Sequence, residues 1–160
     1  MDPVDKMVEA AKKECEAHGI PITSKRVNLY SILLLSEKAV SAYELVDSHF
    51  EMFHQPVPVI TVYRVMEFLQ SKNLVHKLET ENKFVACTHV NCSNTHSASQ
   101  FLICKQCLKV KELSMSVAKI DELRQTVEQA GFHLNSPQLE MNCICEACYQ
   151  NAEEAKPKLI

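Results

Sequence analysis

The chain has 160 residues, of which 46% are apolar and 23% charged, with eight cysteines and a formal net charge of -3. No apolar run approaches the ~18 residues a membrane helix needs, and the opening MDPVDKMVEAAKKE alternates charged with apolar residues, so the expectation is a soluble, cytoplasmic protein of two small domains. Residues 1 to 75 carry 8 basic against 10 acidic side chains, which excludes indiscriminate phosphate binding and leaves any nucleic-acid contact to a local cluster and to dimerisation.

Val4, Met7, Val8, Ala11 and Cys15 recur at spacings of three and four, predicting an amphipathic first helix that His18-Gly19 ends and Pro21 keeps from resuming. Thr23 suits the cap of a second helix reaching Leu35, with Lys25 and Arg26 in its exposed first turn and Val27, Tyr30 and Leu34 on its buried face. Basic residues there oppose the helix dipole, which points to a phosphate partner. Ser41-Ala-Tyr-Glu44 has capping-box spacing and predicts a third helix to about Phe53, broken by Gln55-Pro-Val-Pro58. Pro58 fits the first turn of a fourth helix with Val62, Val65, Met66 and Leu69 as its buried stripe, Thr61, Arg64 and Phe68 on another face, and Tyr63 beside them.

Leu74 to Leu78 and Lys83 to Cys87 read as strands around the turn Glu79 to Asn82, so three helices and a hairpin make a winged helix. Beyond it, Phe101 to Ile103 and Val110 to Leu113 are short strands around a Cys-x-x-Cys knuckle. Ser116 to Ala130 is a helix closed by Gly131, and Phe132 to Glu140 is another strand. The expected architecture is α/β (α+β): a winged helix-turn-helix domain over 1–84, a small α/β metal-binding dimerisation domain over 85–150, and a frayed tail over 151–160.

Cysteines in a reducing compartment are poor disulfide candidates, and the pairs Cys104-x-x-Cys107 and Cys145-x-x-Cys148 supply the four thiolates of a closed structural zinc site. The 37 residues between the pairs exceed a zinc-finger interval, so this zinc pins the C-terminal segment back onto the knuckle. Cys143 is an alternative to Cys145, and buried free cysteines are the bland alternative to the whole set.

In the hairpin, residue 76 pairs with 85 and Cys87 lies on the same face, diagonal to His76, so the two side chains can chelate one ion. His96 in the loop 91–100 and Glu112 on the strand after the knuckle complete a set of one thiolate, two imidazoles and one carboxylate, which suits zinc better than ferrous iron. Singly, these residues read as a wing-surface histidine, a core thiol, a loop residue and a solvated charge. His89 and Cys92 are part of a third metal site, a spare ligand pool or, as the favoured reading, neither; Cys15 packs against its helical neighbours, and His49, His54 and His133 receive no role.

For DNA, Arg64 is the candidate base reader, flanked by Tyr63 and Thr61, and Tyr43, Lys25 and Arg26 are candidate backbone contacts. A zinc hydrolase or deaminase would need an element such as His-x-Glu near Pro-Cys-x-x-Cys, and the chain has none.

Thr23-x-x-Arg26, Ser41-Ala-Tyr-Glu-Leu45, Thr61-Val-Tyr-Arg64, Leu74-Val-His76, Cys104-x-x-Cys107, Gly131-Phe132 and Cys145-x-x-Cys148, in this order over nearly the whole chain, resemble the ferric uptake regulator family. Within it the chain is most similar to the zinc uptake regulator branch. The resemblance implies no enzyme but a homodimeric repressor with zinc as corepressor, two ions per protomer, bound to an A·T-rich palindromic operator of zinc uptake genes. It implies no membrane and no small-molecule substrate. It also implies His76, Cys87, His96 and Glu112 as regulatory ligands and Cys104, Cys107, Cys145 and Cys148 as structural ones. A same-family regulator answering to another metal or to oxidation is the alternative. The His-x-His element of the iron and peroxide branches is replaced here by Ser97-Ala-Ser-Gln-Phe-Leu, which favours the zinc branch. A histidine that the family often carries after the Gly-Phe is replaced by the stretch Asn135-Ser-Pro-Gln, which leaves a third site without that ligand.

Overall fold

The computed structural model describes residues 2–88 and 98–154, in two units, 1–96 and 97–160. In the first, α1 (Pro3–Ala17) begins at Asp2, whose carboxylate accepts the Val4 amide at 3.3 Å. Thr23 caps α2 (Ser24–Leu35) by accepting from the Arg26 amide. A full capping box starts α3 (Ala42–Phe53): the Glu44 amide donates to Ser41 Oγ, and the Ser41 amide donates to Glu44 Oε2 at 2.7 Å. Pro58 stands as the N-cap of α4 (Val59–Ser71), one position earlier than expected. Its buried stripe is the expected Val62, Val65, Met66 and Leu69.

On α2 the buried residues are Leu29, Tyr30, Ile32 and Leu33, whereas Val27 and Leu34 are half-buried at the core margin. The helix runs Leu29-Tyr-Ser-Ile-Leu33 through the middle of the bundle, so a one-sided stripe understates its burial.

The hairpin β1 (Val75–Leu78) and β2 (Lys83–Ala86) has the expected register, His76 opposite Val85 and Leu78 opposite Lys83. Asn82 takes the left-handed conformation (φ 49°) that closes the turn. A third rung, unforeseen, comes from Val40, which exchanges backbone bonds of 2.9 and 2.8 Å with Phe84. The expected domain boundary at 84/85 falls inside β2. The division lies at 96/97 instead, because the ladder and the Cys87 amide donating to the Leu74 carbonyl keep the return strand in the first unit.

The second unit is a three-stranded sheet in the order β4 (Val110–Ser114), β3 (Ser99–Cys104), β5 (Leu139–Cys143), antiparallel on one side and parallel on the other. Between β4 and β5 runs α5 (Val117–Gln129), capped by Ser116, and α6 (Glu146–Glu154) ends the described chain. Two expectations are corrected here. The last strand is Leu139–Cys143 rather than 132–140: Phe132 is 71% exposed and Pro137 has no amide for a ladder, so pairing starts beyond it. Residues 151–154 are helical rather than frayed, although α6 buries none of its side chains. No helix among the described residues is long and apolar enough to cross a membrane.

The Ser41 amide, then the Ser41 hydroxyl, then Lys83 3.2 Å from its carboxylate hold the Glu44 carboxyl below the usual range against the opposing effect of burial. A lowered folded-state value contributes stability above the ordinary carboxylate range and loses it as pH falls through the folded value. Replacement of the cap, Ser41→Ala, is expected to lower stability by about 1 kcal/mol and to keep most of that loss in acid, because the hydroxyl also accepts from the Glu44 amide. The loss caused by Glu44→Gln instead shrinks as the medium is acidified below pH 4.5, the ordinary value. Urea unfolding monitored by helical circular dichroism at neutral and acid pH separates the two; an acid-independent Glu44→Gln loss would contradict this account.

Candidate metal centres

The knuckle after β3 is closed by backbone bonds. The Cys104 amide donates to the Lys109 carbonyl and the Leu108 amide to the Cys104 carbonyl, both at 2.9 Å. Leu108 is forced to φ 63°, a conformation that costs a non-glycine residue about 1–2 kcal/mol. The second cysteine pair arrives through the parallel ladder: Cys104 faces Cys143, and the Lys105 amide donates to the Cys143 carbonyl at 3.0 Å. The chain then turns into α6, with the Tyr149 amide on the Cys145 carbonyl, so Cys145 sits at the helix start and Cys148 one turn in.

This brings the sulfurs of Cys104, Cys107, Cys145 and Cys148 within 4.8 Å of one another; Cys143 is not among them. Cys107 Sγ lies 3.7 Å from Cys145 Sγ. Zinc–sulfur bonds of about 2.3 Å in a tetrahedron require sulfur–sulfur edges of about 3.8 Å, so the cage has the size of a four-thiolate zinc site. The Cys145 amide also donates to Cys104 Sγ at 3.3 Å. Amide donation from Cys107 and Cys145 lowers the Cys104 thiol to about 6, while the bond to Cys145 and burial push Cys148 up to about 12. Four thiols this close cannot all ionise without a cation among them, and a dication is what the donor set fits.

In the first unit the ligand atoms of His76 and Cys87 lie within 4.8 Å of each other, as the hairpin register requires. Cys87 is fully buried and His76 half-buried. The Tyr30 hydroxyl on α2 is buried with no hydrogen-bond partner among the described residues, and burial, then the charge of Cys87, push its phenol above the ordinary tyrosine value. Glu112 belongs to the second unit, on β4, where Ser99 Oγ donates to its Oε1 at 2.8 Å. Sequence reasoning passed over Ser99, which alternates with Phe101 and Ile103 on the buried face of β3. His96, with His89 and Cys92, lies outside the described residues.

Of the six residues expected at DNA, Arg64, Lys25 and Tyr43 are exposed, Tyr43 to 67%. Thr61 and Tyr63 are half-buried, Tyr63 against the core. Arg26, expected to stand exposed, is half-buried because its guanidinium lies 3.6 Å above the Phe68 ring centroid, where the aromatic face attracts it. It ties the first turn of α2 to α4.

The profile of the ferric uptake regulator family matches residues 17–142. The chain is 32% identical over 144 residues to the zinc uptake regulation protein of Escherichia coli K12, covering 90% of this chain and 82% of that protein. The protein of the same name from Shigella flexneri matches to the same extent. Among solved structures, a zinc uptake regulator complexed with zinc and DNA superposes with a TM-score of 0.84 at 27% identity, over 96% of this chain and 99% of that one. The crystal structure of holo XcZur superposes with a TM-score of 0.76 at 32% identity, over 91% and 99%.

The cage geometry predicts that cobalt(II) titrated into the metal-free protein develops the visible bands and sulfur-to-metal charge transfer of a tetrahedral four-thiolate complex. Cys107→Ser is expected to weaken and shift these bands, and Cys143→Ser to leave them unchanged. Equal effects of the two variants would mean that Cys143 is a ligand.

Proposed function

The chain belongs to the ferric uptake regulator family, and we propose that it is a zinc-responsive transcriptional repressor that binds operator DNA as a zinc-loaded homodimer and controls zinc uptake genes. The observation that carries this reading is a four-sulfur cage alongside a separate His76–Cys87 pair, in a chain similar over 90% of its length to a zinc uptake regulation protein. The protein acts by binding in the cytoplasm and not as an enzyme.

Two zinc ions serve each protomer. Cys104, Cys107, Cys145 and Cys148 hold the structural one, which contributes folding energy to a unit whose two helices bury only Ile120. His76, Cys87, His96 and Glu112 hold the regulatory one. When bound, zinc supplies a dication that gathers these ligands. His76 and Cys87 come from the hairpin, Glu112 from the sheet of the second unit, and shared ligation restrains the two units together. The restrained state is the one that reads DNA, so repression follows the differential affinity of zinc for it.

The first unit reads the A·T-rich palindrome. Arg64 on α4 reaches a base edge with Tyr63 and Thr61 beside it, and Tyr43, Lys25 and Arg26 lie along the phosphates. The second unit makes the dimer. By register, Leu102, Leu113, Leu139 and Met141 share one sheet face with Gln100 and Lys111, and Leu113 and Met141 on it are exposed, as are Val117 and Phe132 nearby in sequence. An apolar surface of this kind supports a second copy as its cover.

Fluorescence anisotropy on a labelled A·T-rich palindrome, across free zinc levels set by a chelating buffer, tests the reading. Binding is expected with zinc, not with iron or manganese, and is lost in Cys87→Ala. Binding that ignores metal, or that follows iron or peroxide, would replace it with the same-family alternative. At saturating zinc, Arg64→Ala is expected to weaken operator binding by roughly 5- to 150-fold and to relax discrimination at one base position. A uniform loss across sequences would make Arg64 a phosphate contact instead.

A further inference from the structure

Ser99 is 8% exposed, and its hydroxyl is spent on a single acceptor, Glu112 Oε1, at 2.8 Å. The register explains the meeting. Ser99 pairs with Ser114 and Phe101 with Glu112, so Ser99 is the diagonal neighbour of Glu112 on the face that carries the buried Phe101. A half-buried carboxylate on that face needs donors, and this one engages one of its two oxygens.

We infer that Ser99 is a positioning residue that makes Glu112 a one-oxygen metal ligand and so biases the regulatory site toward four-coordinate zinc. The inference rests on the proposed reading of Glu112 as a ligand. A carboxylate binds a metal through one oxygen or through both. Binding through both draws Oε1 toward the ion and leaves it one lone pair for Ser99, which weakens or distorts the bond from a buried hydroxyl. Binding through Oε2 alone keeps that bond, and the count of donors from Cys87, His76, His96 and Glu112 then stays at four. Zinc is satisfied by four donors, whereas manganese and ferrous iron favour six nitrogen and oxygen donors and gain from a second carboxylate oxygen. Hydrogen bonds behind metal ligands typically govern 10- to 100-fold of affinity, so one hydroxyl is enough to move the choice of metal.

The test uses the full chain and compares Ser99→Thr with Ser99→Val, side chains of nearly equal shape that differ in the hydroxyl, together with Ser99→Ala and Glu112→Ala. Zinc and manganese affinities at the regulatory site are read by competition with a chelator, and its coordination number by cobalt(II) absorption with zinc already in the four-cysteine cage. Ser99→Val is expected to lower zinc affinity on the order of 10- to 100-fold, to narrow the preference for zinc over manganese, and to weaken the cobalt bands as coordination rises above four. Ser99→Thr is expected to behave as the parent protein, and the cage to keep its zinc in every variant. If Glu112→Ala lowers zinc affinity while Ser99→Val changes neither affinity, selectivity nor spectrum, the role of Ser99 is overturned and Glu112 stands. If Glu112→Ala changes nothing, the ligand reading fails and the role of Ser99 with it.

Discussion

The parallel pairing of β5 with β3 is the constraint on which the second unit depends. It sets Cys143 opposite Cys104, and from there two residues and a turn of helix deliver Cys145 and Cys148 to the knuckle. Hydrophobic burial alone holds this arrangement weakly, because α6 buries nothing and α5 only Ile120. Phe101 and Ile103 form the small apolar centre of the sheet. In the proposed reading, zinc in a cage of four sulfurs with the dimensions of a zinc tetrahedron would supply what so small a core lacks, since metal binding there would be folding energy. The strained φ of Leu108 fits this view: a distortion at the knuckle persists when its surroundings over-determine it.

The first unit is held differently. Leu29, Tyr30, Leu33, Leu45, Met66 and Leu69 are each at most 2% exposed, and the hairpin closes over them through Phe84 and its bridge to Val40. Two contacts then fix the surface of this core. The Arg26–Phe68 stack ties α2 to α4, and Lys83 ties the return strand to the capping box of α3 through Glu44. Both use basic side chains in a chain where 17 basic residues face 20 acidic ones. Arg26 therefore serves packing whatever it does at a phosphate, and the wing offers less free positive charge than a count of lysines suggests.

Much of this was legible in the sequence because it was written in local chemistry. Ser41 and Glu44 announced α3, Pro58 announced α4, and the turn at Glu79 to Asn82 set a register that brought His76 and Cys87 together. Spacing pointed to Cys104, Cys107, Cys145 and Cys148 with Cys143 as the alternative, and the parallel ladder, which engages Cys143 in β5, leaves Cys143 out of the cluster. What escaped was non-local. The exchange between Val40 and Phe84 joins residues with no periodic signal between them, and the start of the last strand was displaced by Pro137. Ser99 escaped because a serine on a strand says nothing until its diagonal neighbour is known to be a carboxylate.

The acidic balance of the chain bears on how zinc acts in the proposed reading. Without metal, the regulatory set carries one formal charge, from Glu112, when Cys87 is a thiol and the histidines are neutral. With zinc, two anionic ligands balance a dication, so each protomer gains about one positive charge. By counterion release one charge moves the salt slope by only ~0.9 and cannot by itself switch a chain of net charge -3 from free to bound. The four-cysteine cage does not help, because four thiolates outweigh one dication. Electrostatic attraction is therefore the lesser effect, and restraint of two tethered units is the greater. A dimer must present both reading helices at once to half-sites about 34 Å apart or a multiple of that, and any freedom between units is lost on binding. In the proposed reading, ligands drawn from both units would remove that freedom before DNA is met, which would make the selectivity of the regulatory ligands, and not the charge they collect, the determinant of the response.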